Sequence, residues 1–345
     1  MAEFVFFSSI HNVKSRTQNY FNGMKKKDKP VRWIDCNFND LFRISMGTSR
    51  KRLRSAGCVL LVCSPSHILV IFIFFLLQKR PILDAGWPLS DGVITSRKEF
   101  GFLGLKALKI FFIDFFSFHL SKKVFVESEL QKTRVCRHFL LSRDKVFVIE
   151  TGFDENRFES FFPNKHQRDT SLTSVIFRGG NQVESGLNLL LEAIQKNLFD
   201  AGSFRFRIIT NSNETNLECG DFVEISTLEM SDLELFTCYR FADVALGQLS
   251  DHKRLGWTIP HKFYEAAFLG LPYISADTPF MKELAEQKGV VVFKGGSVIE
   301  LVNCLKNLSV DLVAQRELSK NLTRIYHSRF SQDVLSRTFE FIAKT

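Results

Sequence analysis

The stretch IPHKFYEAAFLGLPYISAD, residues 259–277, places a short amphipathic segment directly ahead of Gly-Leu-Pro and an apolar run. Thr258 can cap a helix here, Pro260 suits its first turn, and Gly270 can take the left-handed conformation that ends it. Pro272 then opens a strand, LPYISAD. Lys262 and Glu265 stand at i and i+3, and His261 and Glu265 at i and i+4, so all three share one face. Phe263, Ala266, Ala267 and Leu269 supply the packing face. From residue types alone, the charged face reads as a solvated surface with a weak ion pair worth about 0.3–0.5 kcal/mol. A binding face at the head of an α/β unit is the other reading.

The neighbouring sequence repeats the same rhythm. SVIFRGG (174–180) is a strand running into glycines and LNLLLEAIQKNL (187–198) a helix. FRFRIITN (204–211) and DFVEIS (221–226) read as strands, and MSDLELFTCYR (230–240) as a helix with Ser231 at its N-cap. ADVALG, KELAEQK and GVVVF complete the series. Toward the N-terminus, EFVFFSS is a buried strand followed by a polar loop, His11 to Gln18. VRWID (31–35), CVLLVCS (58–64), PILDAG, KVFVES (123–128) and KVFVIETG (145–152) are further strands. ILVIFIFFLL, the stretch 102–123 and QKTRVCRHFL are helices between them.

Such alternation predicts doubly wound α/β domains with parallel sheets. The polar stretch 158–173 lacks periodicity and reads as a linker between a domain of residues 1–157 and one of residues 174–326. Residues 327–345 form an amphipathic helix without a strand partner, expected to pack back toward the N-terminal domain.

With 345 residues, 45% hydrophobic and 24% charged, the composition is globular and long enough for two cores. Residues 1–160 hold 26 Lys+Arg against 15 Asp+Glu, and the remainder 20 against 22, so the basic charge belongs to the first half. That half is expected to meet an anionic partner. An anionic membrane suits the run KKKDK (25–29), the cluster RKRLR (50–54) and the Phe-rich basic helix 102–123. Nucleic acid is not expected, because no recognition helix, RNA-binding motif or zinc finger accompanies the charge. Seven scattered cysteines, none spaced CxxC, favour free thiols in a reducing compartment. MAEFVFFSSI lacks a positive n-region and a cleavage site, so the expected location is cytoplasmic. The segment 58–78 is long enough to suggest a membrane span, but Ser64-Pro65-Ser66-His67 breaks it, and strand plus helix is the expected outcome.

The phrase PHKFYEAAFLGLPYIS resembles the helix-to-strand signature P-x-K-x-x-E-x-x-x-x-G-x-P-x-I of GT-B glycosyltransferases, especially glycosyltransferase group 1, the retaining family four. SLTSVIFRGGNQVESGLNLLLEAI is similar to that family's first C-domain strand, glycine turn and helix. FVEISTLEMSDLELFTCYRFADVAL is similar to its base-side strand, turn and following strand, and KVFVIETGFDENRF to its interdomain link. The resemblance covers roughly residues 145 to 295 and implies two Rossmann-like domains facing each other across a cleft that closes to exclude water. It implies that Glu265 accepts hydrogen bonds from the donor ribose and that Lys262 offers charge to the diphosphate. Gly179 and Gly180 would admit backbone amides to the phosphates, and Thr227 and Leu228 would lie against the base. The family's first glutamate is replaced by Trp257, and its Arg and Lys of the glycine turn by Gly180 and Ser185. Arg178, Lys253 or Arg254 are candidates for the missing charge.

On the acceptor side, three loops qualify at the ends of first-domain strands. They carry Ser8, His11 and Lys14; Asp84, Trp87 and Asp91; and residues 127–130. Asp84 ends an apolar strand and is the leading candidate to polarise an acceptor hydroxyl, with turn capping as its alternative. His11 is the second catalytic candidate. The resemblance implies a nucleotide-sugar donor, a glycan or lipid-linked acceptor, peripheral membrane association, and neither cofactor nor metal. A sugar-nucleotide epimerase or hydrolase on the same scaffold, and a non-catalytic binding protein, are the rival readings.

Overall fold

The computed structural model describes residues 2–9, 16–92, 104–159, 172–180, 182–211, 222–227 and 229–345, apart from the side chains of Glu159 and Thr227. The chain divides into two compact units, Met1–Gly152 with Gln332–Thr345, and Phe153–Ser331.

The first unit holds β1 (Glu3–Ser8), β2 (Val31–Asp35), β3 (Cys58–Cys63), β4 (Ile82–Gly86), β5 (Lys123–Val126) and β6 (Val146–Val148). They form one parallel sheet in the order β2-β1-β3-β4-β5-β6. Its strands are apolar on both faces because both are covered: Val5 and Phe7 point into one core layer and Phe4 and Phe6 into the other. The helices are α1 (Arg16–Lys25), α2 (Phe38–Met46), α3 (Ser49–Arg54), α4 (Ile68–Leu77), α5 (Leu105–Leu120) and α6 (Glu129–His138). Leu41, Leu53, Ile73, Phe118 and Val135 bring α2 to α6 onto the Val5 face, while Tyr20 and Met24 bring α1 onto the Phe4 face.

The segment 58–78 resolves into β3 and α4, as expected. Among the described residues no helix is long and apolar enough to cross a membrane. The expected polar loop is shorter than the sequence suggested, since α1 already begins at Arg16. Its first turn directs Arg16, Thr17 and Asn19 inward, where they bond to Asp84 of β4 and to the Ile149 and Thr151 carbonyls after β6, so hydrophobic periodicity does not reveal where the helix starts. A capping box between Asn37 and Asp40 starts α2.

In the second unit, β7 (Thr173–Arg178), β8 (Phe204–Thr210), β9 (Val223–Thr227), β10 (Val244–Leu246), β11 (Tyr273–Ala276) and β12 (Val291–Phe293) form a second parallel sheet. Its order is β12-β11-β10-β7-β8-β9. The helices are α7 (Asn156–Glu159), α8 (Leu187–Gln195), α9 (Asp232–Arg240), α10 (His261–Leu269), α11 (Pro279–Glu286), α12 (Val298–Val310) and α13 (Leu312–Ile325). Phe236, Phe263, Met281 and Leu322 line one core layer; Leu190, Leu301 and Leu305 line the other. Phe153 and Phe158 are buried in the first of these layers. After a single wide turn at Tyr326–Phe330, the last helix, α14 (Gln332–Lys344), belongs to the first unit. There Phe339 packs among Phe4, Phe6, Tyr20 and Phe125.

In each sheet the direction of winding reverses once, between β1 and β3 and between β7 and β10. The carboxyl ends of strands flanking such a reversal are where open α/β sheets take ligands.

Candidate functional site

At the reversal in the second unit, β7 ends in Arg178-Gly179-Gly180 and β10 runs into Gly247-Gln248-Leu249-Ser250. The loops after these strands are bonded together: Leu249 N–H donates to Ser185 O at 3.1 Å, and Ser250 Oγ donates to Glu184 O at 3.0 Å. Gly186 makes the approach possible. Its φ is +68°, and a Cβ there would lie 2.6 Å from the Ser250 nitrogen. The β7 turn also closes on itself, Ser185 Oγ donating to Gly180 O at 2.6 Å.

Directly after Gly186, α8 begins beside a pocket of about 360 Å³ bordered by Gln182, Ser185, Gly186, Asn188, Ser250 and Gly296. The positive dipole end of a helix N-terminus suits an anion, although the Leu187 and Leu189 amides already donate to Ser185 Oγ and Gly186 O. The Asp251 carboxylate also borders the pocket and opposes that preference in part. Arg254 Nη1 lies 3.4 Å from Glu184 Oε1, so this candidate cation pairs with the turn preceding α8.

Glu265 is the electrostatic centre of the unit. It is fully buried, and its Oε2 accepts hydrogen bonds from Arg178 Nη1 and, at 2.9 Å, from Tyr239 OH. Oε1 lies 3.4 Å from His261 Nδ1 and 3.6 Å from Arg157 Nη1. Burial pushes its carboxyl upward, but the Arg178 charge and the His261 contact outweigh it and hold the group far below the usual carboxylate range. Arg178, one of the candidates for the charge missing from the glycine turn, pairs with Glu265 and does not border the pocket at α8. The solvated-face reading of α10 fails, because Glu265 and Lys262 are both buried.

The side chain of Lys262 departs from the face it was expected to share. It donates from Nζ to Gly247 O at 2.6 Å and lies over the Phe177 ring at 4.4 Å. Burial and the nearby Arg178 charge bring its pKa down to about 7, with Glu265 acting in the opposite direction. The helix start also differs: Pro260 occupies the N-cap, and Thr258 Oγ1 bonds back to Arg254 O. Gly270 ends the helix with φ +62°, as expected. Thr227 pairs with Thr210 at the end of β9, and Leu228 lies outside the described residues. The sequence reading missed Tyr239 and Arg157. Tyr239 lies in the segment read only as a helix, and the only signal for Arg157 was a lone cation in the acidic run DENRFE.

In the first unit the expected residues are placed but not gathered into one site. Asp84 is fully buried. It accepts from Thr17 Oγ1 at 2.5 Å and lies 3.0 Å from Arg16 Nε. Arg16 in turn donates to Ile149 O at 2.5 Å and to Tyr20 OH at 3.1 Å. Burial raises the Asp84 carboxyl above its ordinary range, while Arg16, Thr17 and His67 pull it down. This geometry fastens α1 to the sheet through two side chains, a structural role different from the turn capping expected as the alternative for Asp84. Asp91 binds Arg134 Nη2 at 2.7 Å, tying its turn to α6. Trp87 is half-buried, its backbone N–H donating to Ala85 O at 2.6 Å, and His11 lies outside the described residues. Two buried groups had no sequence signal: His67, with its Nε2 4.0 Å from Asp114 Oδ1, and Asp114, which accepts from the Leu89 and Ser90 amides.

No protein-family model matches this sequence, and no curated protein sequence matches it. Solved structures do match. HepE from Anabaena in complex with UDP-glucose superposes with a TM-score of 0.68 at 12% identity over 100% of both chains. Sucrose-phosphate synthase from Thermosynechococcus elongatus gives 0.68 at 10% identity, over 99% of this chain and 98% of that one. A glycosyltransferase from Rickettsia africae gives 0.65 at 11% identity over 99% and 98%. At such identities the likeness establishes architecture: with its two six-stranded parallel sheets and flanking helices, the chain has the GT-B fold of two Rossmann-like domains.

Proposed function

We propose that the protein is a retaining hexosyltransferase that moves a sugar from a nucleotide-diphosphate donor to a lipid-linked or polysaccharide acceptor. The setting is cell-surface glycan assembly, with the enzyme peripheral on the inner face of the cytoplasmic membrane. The observation that carries the reading is the full-length structural match to HepE, solved with UDP and with UDP-glucose. It is supported by the second unit's pocket, which lies at a winding reversal and at a helix N-terminus.

In this reading the second unit holds the donor. The N-terminus of α8 faces the diphosphate, and the Lys262 ammonium, held by the Gly247 carbonyl at the start of the loop after β10, adds positive charge. The diphosphate would favour the protonated form of a lysine brought down to about 7. Arg178 and Tyr239 hold Glu265 through Oε2, and Oε1, beside His261 and Arg157, is the oxygen that would orient a ribose hydroxyl. The bond between the sugar C1 and the phosphate oxygen breaks, a new bond joins C1 to the acceptor oxygen, and the acceptor proton passes to the departing diphosphate. Asp84, committed to Arg16 and Thr17, positions α1 and takes no proton.

The test is a thermal-shift panel of UDP, GDP, CMP and dTDP on wild type, Glu265→Gln and Asn188→Trp. The last places a bulky side chain from an exposed position into the pocket. One nucleotide should stabilise wild type by about 2.7 kcal/mol at a hundredfold excess over Kd, and both variants should lose that gain. No shift with any nucleotide overturns the reading. The replacement of the family's acidic and basic positions by Trp257, Gly180 and Ser185 favours a second reading, donor binding without transfer. Binding without product on any acceptor would support it, and a changed sugar nucleotide without acceptor would indicate an epimerase.

A further inference from the structure

One face of the first unit inverts the pattern of an ordinary surface helix. In α5, Ala107, Asp114, Ser117 and Phe118 turn inward. Leu105, Leu108, Phe112 and Phe116, at i, i+3, i+7 and i+11, are 86%, 51%, 46% and 48% exposed. The solvent side of this helix is therefore an apolar stripe. The same holds in α2, where Phe38, Phe42 and Met46, at i, i+4 and i+8, are 46%, 47% and 73% exposed. Between them, α4 touches both helices and exposes Phe75. The Phe38 and Phe72 rings, 4.6 Å apart, join α2 to α4. A surface of this kind on one unit marks an interaction site.

Its charge identifies the partner. Residues 38–83 and 104–120, which hold this face, contain nine Lys and Arg against two acids, Asp40, tied into the cap of α2, and the buried Asp114. Arg43, Lys51, Lys106 and Lys109 are exposed beside the apolar stripes. A second copy of the chain would set these cations against themselves. The KKKDK run contributes nothing here: Lys27 and Lys29 pair with Asp333 and Glu340 of α14, on the opposite side of the sheet.

We infer that the outer face of α2, α4 and α5 docks the protein on an anionic bilayer. The phenylalanines and leucines enter the acyl boundary, and the arginines and lysines reach lipid phosphates. No described helix is long enough to span, so the helices lie in the plane of the interface. The inference rests on the membrane setting proposed above and is independent of the transfer chemistry.

The experiment is co-sedimentation of the full-length protein with vesicles of phosphatidylcholine, with and without phosphatidylglycerol. Wild type is compared with Phe112→Glu/Phe116→Glu and with Lys106→Glu/Lys109→Glu; melting temperature and the nucleotide shift are followed alongside. Wild type should bind the mixed vesicles at least about tenfold better than the neutral ones. Both variants should lose binding while keeping the melting temperature. Absent vesicle binding, binding unchanged in both variants, or a wild-type dimer that the phenylalanine variant makes monomeric without any lipid binding, each overturns the inference. Vesicle binding with no nucleotide shift supports docking and overturns the transferase reading alone.

Discussion

Lys262 directs its ammonium to the carbonyl of Gly247 at 2.6 Å, not to Glu265 one helical turn away. Glu265 is bound instead by Arg178 from the end of β7 and by Tyr239 from α9. The two charged residues of one short helix thus serve different purposes. Glu265 joins three elements of the second unit, and Lys262 remains a buried cation close to its titration point.

That burial gives Lys262→Met a pH signature. The folded-state pKa, brought down to about 7, lies below the ordinary lysine value of about 10.4, so between these limits the unfolded chain binds more protons. The residue's contribution to stability is lowest below pH 7 and rises with pH through that window. Relative to wild type, the methionine variant should be at its best near pH 6 and lose ground steadily toward about pH 9. Thermal melts at fixed ionic strength check this; parallel curves would show that the ammonium is solvated.

Asp84→Asn separates structure from chemistry in the first unit. Removing the negative charge leaves Arg16 buried beside a neutral amide, which should cost about 3–5 kcal/mol by urea titration. Residual activity per folded molecule should stay within a few-fold of wild type. A stable variant with kcat reduced by orders of magnitude would instead return Asp84 to the role of a general base.

Phe339→Ala tests how far the last helix completes the first unit. The Phe339 ring stacks on Tyr20 at 5.4 Å and contacts Phe4, Phe6 and Phe125. Truncation should cost about 3–5 kcal/mol. Removing Gln332–Thr345 should expose the Phe4 face of the sheet and render the unit insoluble, whereas Phe341→Ala, at an exposed position, should be neutral.

The strands were legible because parallel sheets covered on both faces demand long apolar runs, such as Phe4–Phe7, Cys58–Cys63 and Val175–Phe177. Local chemistry also marked some helix ends: Ser231 forms a capping box with Glu234, and Gly270 takes the left-handed turn. Those features depend on neighbours in sequence. By contrast, the first turn of α1 stayed hidden because its inward residues are polar and their partners, Asp84 on β4 and Ile149 and Thr151 after β6, lie far away in sequence.

By itself, then, the sequence determined two alternating α/β series and a charged helix ahead of Gly270. Periodicity and capping act over a few residues, and the chain records them directly. Tertiary structure alone decided that Glu265 belongs to Arg178, that Lys262 turns to Gly247, and that Asp84 is a buried anchor. It also decided which phenylalanines reach solvent, since Phe112 and Phe118 share one helix yet only Phe118 faces the sheet. A side chain's charge state and exposure follow from what packs against it, and those contacts come from residues far away in sequence.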